Sequence, residues 1–65
     1  MPELDPVAHL RHAIANPLAA LLAEVQLLLM DDGNLDDATR QALREIERLA
    51  IRMRTVLREA RSDEA

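Results

Sequence analysis

The sequence has no cysteine, no aromatic residue, one glycine and three prolines in 65 residues. Without cysteine, disulfides and thiolate metal sites are excluded, and the redox compartment cannot be read from thiol usage. Glu3 and Asp5 near the start do not fit the basic, then apolar, layout of a signal peptide. No uninterrupted apolar run approaches the roughly 20 residues that span a bilayer, so neither a membrane span nor a membrane partner is expected. The formal net charge of −4 argues against nucleic acid as a partner, since phosphate binding calls for a basic surface. Catalytic triads, phosphate-binding loops and zinc spacings are all missing. No cofactor is implied, and a cytoplasmic location is the expectation.

What is present points one way. About half of the residues, 49%, are apolar, and Ala, Leu, Glu and Arg dominate. All four are good helix formers. A chain this short forms one small unit at most, and a lone pair of helices buries too little apolar surface to offset its conformational entropy. Small scaffolds are usually completed by disulfides, a metal or a partner chain. The first is excluded, and two histidines without further ligands make a structural metal a poor fit. Self-association remains.

The chain reads as one domain, residues 1–65, with two helices. Residues 1–4 read as a loose lead-in. Asp5 followed by Pro6 suits an N-cap and first helical position, and the helical pattern runs from about residue 6 to about residue 30. Asp31, Asp32, Gly33 and Asn34 form the one turn signal, placing the connection over residues 31–35. Gly33 suits the left-handed conformation that ends many helices. Asn34 or Asp36 can cap a second helix, expected over about residues 36–61 with the last residues frayed. A short turn forces the helices antiparallel.

Apolar positions define the faces. The first helix carries Val7, Leu10, Ile14, Leu18, Leu21, Val25 and Leu28, flanked by Leu22 and Leu29. The second carries Leu35, Ala42, Ile46, Leu49, Met53, Val56, Leu57 and Ala60, flanked by Leu43 and Ala50. The steps are mostly three and four residues. Each arc spans more than about 100° of the helical wheel, wider than a two-stranded coil uses and suited to a helix with two neighbours. The expected fold class is therefore all-α: an antiparallel helical hairpin that pairs with a second copy into a homodimeric four-helix bundle. From Leu10 the steps run four, four, three, a local stutter that coincides with Pro17. Proline removes one backbone hydrogen bond and crowds the preceding turn. One continuous helix bent at Pro17 fits the upstream apolar pattern better than a helix starting there.

His12 lies on the far side of the wheel from Ile14, Leu18 and Val25, with His9 one turn before it and Asn16 one turn after. Ala15, Ala19, Ala20 and Ala23 give a low surface around it, continued by an exposed Leu27. The run His12-Ala13-Ile14-Ala15-Asn16-Pro17-Leu18 resembles the H-box of sensor histidine kinases, roughly His-Glu-Leu-Arg-Thr/Asn-Pro-Leu, within their dimerisation and phosphoacceptor domain. Residues 46–61 resemble that domain's second helix. The resemblance implies a homodimer in two-component signalling. His12 would be the phosphoacceptor, Asn16 would stand at the position that orients water for dephosphorylation, and Pro17 would bend the helix beside the histidine. A response regulator receiver domain would dock beside His12.

Two departures shape the functional expectation. No ATP-binding domain fits in these residues, so a histidine kinase or its ATP-binding domain acting in trans would have to load His12. The acidic residue that usually follows the histidine, which orients the imidazole and takes its proton, is Ala13 here. The alternative is a non-catalytic regulator that keeps the bundle and binds response regulators or kinases. His12 could also be an ordinary surface histidine, or could share a metal with His9, though further ligands are lacking. Arg40, Arg44, Arg48 and Arg52 form an i,i+4 stripe. It could meet an acidic surface or a phosphate, but such stripes are more often solvated and balanced by neighbours such as Glu45 and Glu47. Ile51 among them should be exposed, as a docking contact or with no role.

Overall fold

The structure, a computed structural model, describes residues 5–63, and among these the side chains of all but Asp32 and residues 61–63. The expectations for residues 1–4 and 64–65 lie outside the described residues. Helix α1 spans Pro6–Met30, a 3-10 turn spans Asp32–Asn34, and helix α2 spans Asp37–Asp63. The two helices pack against each other as a hairpin. Gln26 Nε2 donates to Glu47 Oε2 at 3.2 Å, while His12 lies level with Arg54 and Arg58. That register runs in opposite directions on the two helices, so the hairpin is antiparallel.

Local chemistry sets the helix ends. The Asp5 carboxylate accepts from the Val7 N–H at 3.0 Å, and Pro6 occupies a position whose missing N–H has no helical partner anyway. Asp36 caps α2 by accepting from the Thr39 N–H at 2.8 Å. Asn34, the other candidate cap, instead donates to the Asp31 carboxylate at 2.9 Å. Gly33 departs from expectation. No described glycine has a positive φ, because α1 ends on Asp31, whose N–H donates to the Leu28 carbonyl at 3.1 Å, and the chain then turns through the 3-10 segment. A left-handed residue is not needed for that path. Nor does any neighbour lie within 4 Å of where a Cβ on Gly33 would sit.

Packing divides the apolar arcs in two. Leu18, Leu22, Val25 and Ala50 are buried, and Leu57 packs against the Leu18, Leu22 and Ala50 cluster. Leu22 and Ala50, assigned to the flanks from the periodicity, stand at the centre of the seam. Leu21 remains 61% exposed, and Ile46, Leu49, Met53 and Val56 are each about half exposed. The radius of gyration, 15.5 Å, is well above the about 11 Å of a compact chain of this length. A second outer face therefore lies uncovered on the single chain.

The same surplus corrects the membrane expectation. By length and composition α1 is long and apolar enough to cross a bilayer. The uninterrupted-run criterion missed this because Asn16, Glu24 and Gln26 break the run, while the alanines and leucines around them keep the average apolar. Core helices of bundles have the same composition.

The Asp36 cap generates a pH prediction. Hydrogen bonds from the Thr39 hydroxyl and backbone N–H hold this carboxyl below its ordinary value of 3.8, with help from Arg40. A carboxyl depressed on folding stabilises above its unfolded pKa, and that contribution is lost as pH falls through the folded value. Thermal unfolding from pH 6 down to pH 2 should therefore lose part of its acid limb in Asp36→Asn, which keeps a capping oxygen without the titration. Identical acid limbs in both chains would rule Asp36 out as a contributor.

Candidate functional site

α1 runs unbroken through Pro17, so the helix does not begin there. Proline has no N–H to give the Ala13 carbonyl. Ala13 is exposed, which lets water replace the missing donor. His9, His12, Asn16 and Pro17 are all exposed on α1.

His12 sits at the mouth of a groove between the two helices. Leu18, Leu22 and Leu57 form its apolar floor, and Ala15 and Ala19 leave it open on the α1 side. Arg11, Arg54 and Arg58 complete the wall around the imidazole. Asn16 and His9 do not line this groove. Of the low alanine surface, Ala15 and Ala19 belong to it, whereas Ala20 and Ala23 are exposed elsewhere on α1. Among the described residues no group of three or more His, Asp or Glu side chains comes together in a way that could hold a metal ion.

Arg54 and Arg58 lie off the i,i+4 stripe of Arg40, Arg44, Arg48 and Arg52 that stands out in the sequence. That stripe is partly neutralised. Arg40 bonds Asp37 and the Leu35 carbonyl, at 3.0 and 3.1 Å, and Arg48 pairs with Glu45. Glu47 turns inward to accept from Gln26. Arg52 borders a separate, apolar trough with Ile14, Leu49, Met53 and Val56. Leu27 and Ile51 are exposed, at 60% and 37%. A signal for Arg54 was available in the spacing: Arg40, Glu47 and Arg54 recur every seventh residue, which returns them to the same side of α2, the side of the seam. Arg58 follows one turn after Arg54.

The site thus combines an accessible imidazole, an apolar floor and a cationic wall. It offers an imidazole and cationic groups, with no carboxylate among the described residues that line the groove. A family model described as "His Kinase A (phospho-acceptor) domain" matches residues 5–64. Comparison with curated proteins and with solved structures gives no match.

Pro17 supplies this site's prediction. Pro17→Ala restores one backbone hydrogen bond in mid-helix, where proline typically costs about 3 kcal/mol. Because water already reaches Ala13, the expected gain is smaller, about 1–2 kcal/mol, or a rise in Tm of about 5 °C or more. Helical circular dichroism on heating measures it. An unchanged or lower Tm would mean that the backbone here is already matched to proline.

Proposed function

Because the chain belongs to the His kinase A phospho-acceptor domain family, the dimerisation and phosphoacceptor unit of two-component signalling, we propose that His12 is its phosphoacceptor. The observation that carries this reading is the placement of His12. It is exposed on an unbroken helix, five residues before Pro17, at the open mouth of the groove. An imidazole that attacks phosphorus must be reachable by a donor and then by an acceptor, and this one is. Asn16, exposed one turn later, is proposed to orient water for dephosphorylation of the partner. The partner is a response regulator receiver domain, with His12 passing its phosphoryl group to an aspartate. The ATP chemistry that loads His12 is supplied from outside these 65 residues, and the proposed setting is cytoplasmic.

The same reading includes a homodimer. The single chain exposes 5343 Å², against about 4,200 Å² for a compact monomer of 7.3 kDa. The uncovered side chains Leu21, Ile46, Leu49, Met53 and Val56 are aliphatic or thioether, and the trough of Ile14, Leu49, Met53 and Val56 offers a slot for a second copy's side chains. Sedimentation at micromolar concentration should report a dimer for the parent chain. Ile46→Asp places an unpaired charge on that face and should give an unfolded or monomeric chain with lost helical signal. A helical monomer for the parent would overturn the dimer.

A second reading, a non-catalytic regulator that binds response regulators or kinases, is favoured by one observation: Ala13 stands where the imidazole's proton acceptor is expected, and no carboxylate among the described residues lines the groove. General-base help is typically worth about 10²-fold or more. With a kinase domain supplied in trans, the parent should therefore label slowly, Ala13→Glu about a hundredfold faster, and His12→Gln not at all. Acid-labile phosphate from labelled ATP is the readout. Fast labelling of the parent at His12 would show Ala13 to be harmless. No labelling in any chain, with retained binding to a response regulator, would establish the non-catalytic reading instead.

A further inference from the structure

On α2, charged residues recur on the seam side at intervals of seven, and those with described side chains are Arg40, Glu47 and Arg54. The first two are engaged inside the hairpin. Arg40 holds Asp37 and the Leu35 carbonyl, and Glu47 accepts from Gln26 on α1. Arg54 makes no ion pair or hydrogen bond among the described residues, and neither does Arg58, one turn later. Opposite them α1 presents Ala15 and Ala19, which are too short to cover a guanidinium, and His12, and all of these line one groove. Two arginines at i,i+4 repel each other. An anion between them would relieve that repulsion, and the floor of Leu18, Leu22 and Leu57 lowers the local dielectric and strengthens the contact.

We propose that Arg54 and Arg58 form, with His12, a phosphoryl-binding site that holds the group as it moves between His12 and an aspartyl phosphate of the partner. This rests on His12 being the phosphoacceptor. In the step considered, a ring nitrogen of His12 attacks phosphorus. The P–N bond forms as the P–O bond to the aspartate breaks, the electron pair leaves on the carboxylate, and the single proton on the imidazole's other nitrogen passes to water. Phosphoryl transfer keeps negative charge on three oxygens throughout and depends on positioning and electrostatic stabilisation. The planar, five-donor guanidinium matches those oxygens, and two of them on successive turns can hold the group from one side. That leaves the opposite side open for in-line attack. Arg11 borders the same groove, and the inference does not depend on it.

The test uses the whole chain and a small donor, phosphoramidate, so that no partner domain intervenes. Phosphohistidine formed at His12 is followed by phosphorus NMR in the parent, in Arg54→Gln/Arg58→Gln, and in Arg44→Gln/Arg48→Gln, which loses the same charge elsewhere on α2. Circular dichroism confirms the fold of each. The groove variant should label about tenfold or more slowly, as expected when charged hydrogen bonds to the reacting group are lost. The charge-matched variant should label like the parent. Sulfate at constant ionic strength should slow the parent and leave the groove variant unaffected. Equal slowing of both double variants, or equal rates in all three chains, would overturn the site. Should the parent not label at all, His12 fails as acceptor, and sulfate titration decides the anion site alone. Shifts of the Arg54 and Arg58 Nε–H resonances that persist in His12→Gln would support it, and their absence would overturn it.

Discussion

A hairpin of two helices can bury only one stripe of each. Here that stripe is the seam of Leu18 and Leu22 against Ala50 and Leu57, with Val25 also buried. An α-helix turns 100° per residue, so side chains one or two positions away from a seam residue diverge from the partner helix and stay in solvent. Leu21 and Ile46, on the outer side of the arc, do so, and so does His12 on the other side. The seam thus fixes both what the hairpin leaves apolar and exposed and what it leaves polar and accessible. Small residues sharpen the effect. Ala50 lets the helices approach at the middle of the seam, while Ala15 and Ala19 leave the His12 end open.

Charged residues at seam positions follow the same constraint. A charge brought towards an apolar interface must find a partner or remain at its edge. Glu47, half-buried, has Gln26. Arg40, half-buried, reaches the turn, where the Leu35 carbonyl and Asp37 meet it. Arg54 stays exposed because the groove opens beside it. The spacing of seven thus produces three different outcomes along one helix face. What differs is the neighbour across the seam: an amide, a turn, or two methyl groups.

Local rules carried most of the fold. Asp5 before Pro6, and Asp36 three residues before Thr39, are caps that follow from the short reach of a carboxylate, and both form. The unbroken helix through Pro17 followed from apolar periodicity on both sides of it. The failures are of another kind. Gly33 suits a left-handed terminus, yet Asp31 and a 3-10 turn close α1 with negative φ throughout, and the residue type alone does not separate the two closures. Leu22 and Ala50 lie on the flanks of the apolar arcs and Leu21 and Ile46 nearer their centres, yet each arc holds two narrower surfaces, and periodicity in one helix does not say which edge of the arc meets the neighbour. The grouping of Arg54 and Arg58 with His12 is legible in neither helix, because it lies in the register that brings the C-terminal half of α2 level with His12. Register depends on the turn and on the seam together, and neither helix contains it alone.

The two open surfaces of the hairpin lie on different sides of the seam. The aliphatic trough of Ile14, Leu49, Met53 and Val56 is on one, and the groove of His12, Arg54 and Arg58 is on the other. Leu57 borders both. This arrangement matters for a unit proposed both to dimerise and to carry a phosphoryl group. Dimer burial needs dry, aliphatic contact that holds for as long as the protein is folded. Phosphoryl transfer needs repeated access by a donor and an acceptor, and charge that stays hydrated until each docks. Placing His12 on the inner arc would have exchanged access for stability, because a buried imidazole is shielded from both partners. A row of alanines beside it resolves the conflict: it extends the helix at no cost in propensity, adds little to the apolar surface that must be covered, and leaves the guanidinium groups of Arg54 and Arg58 open on the α2 side of the groove.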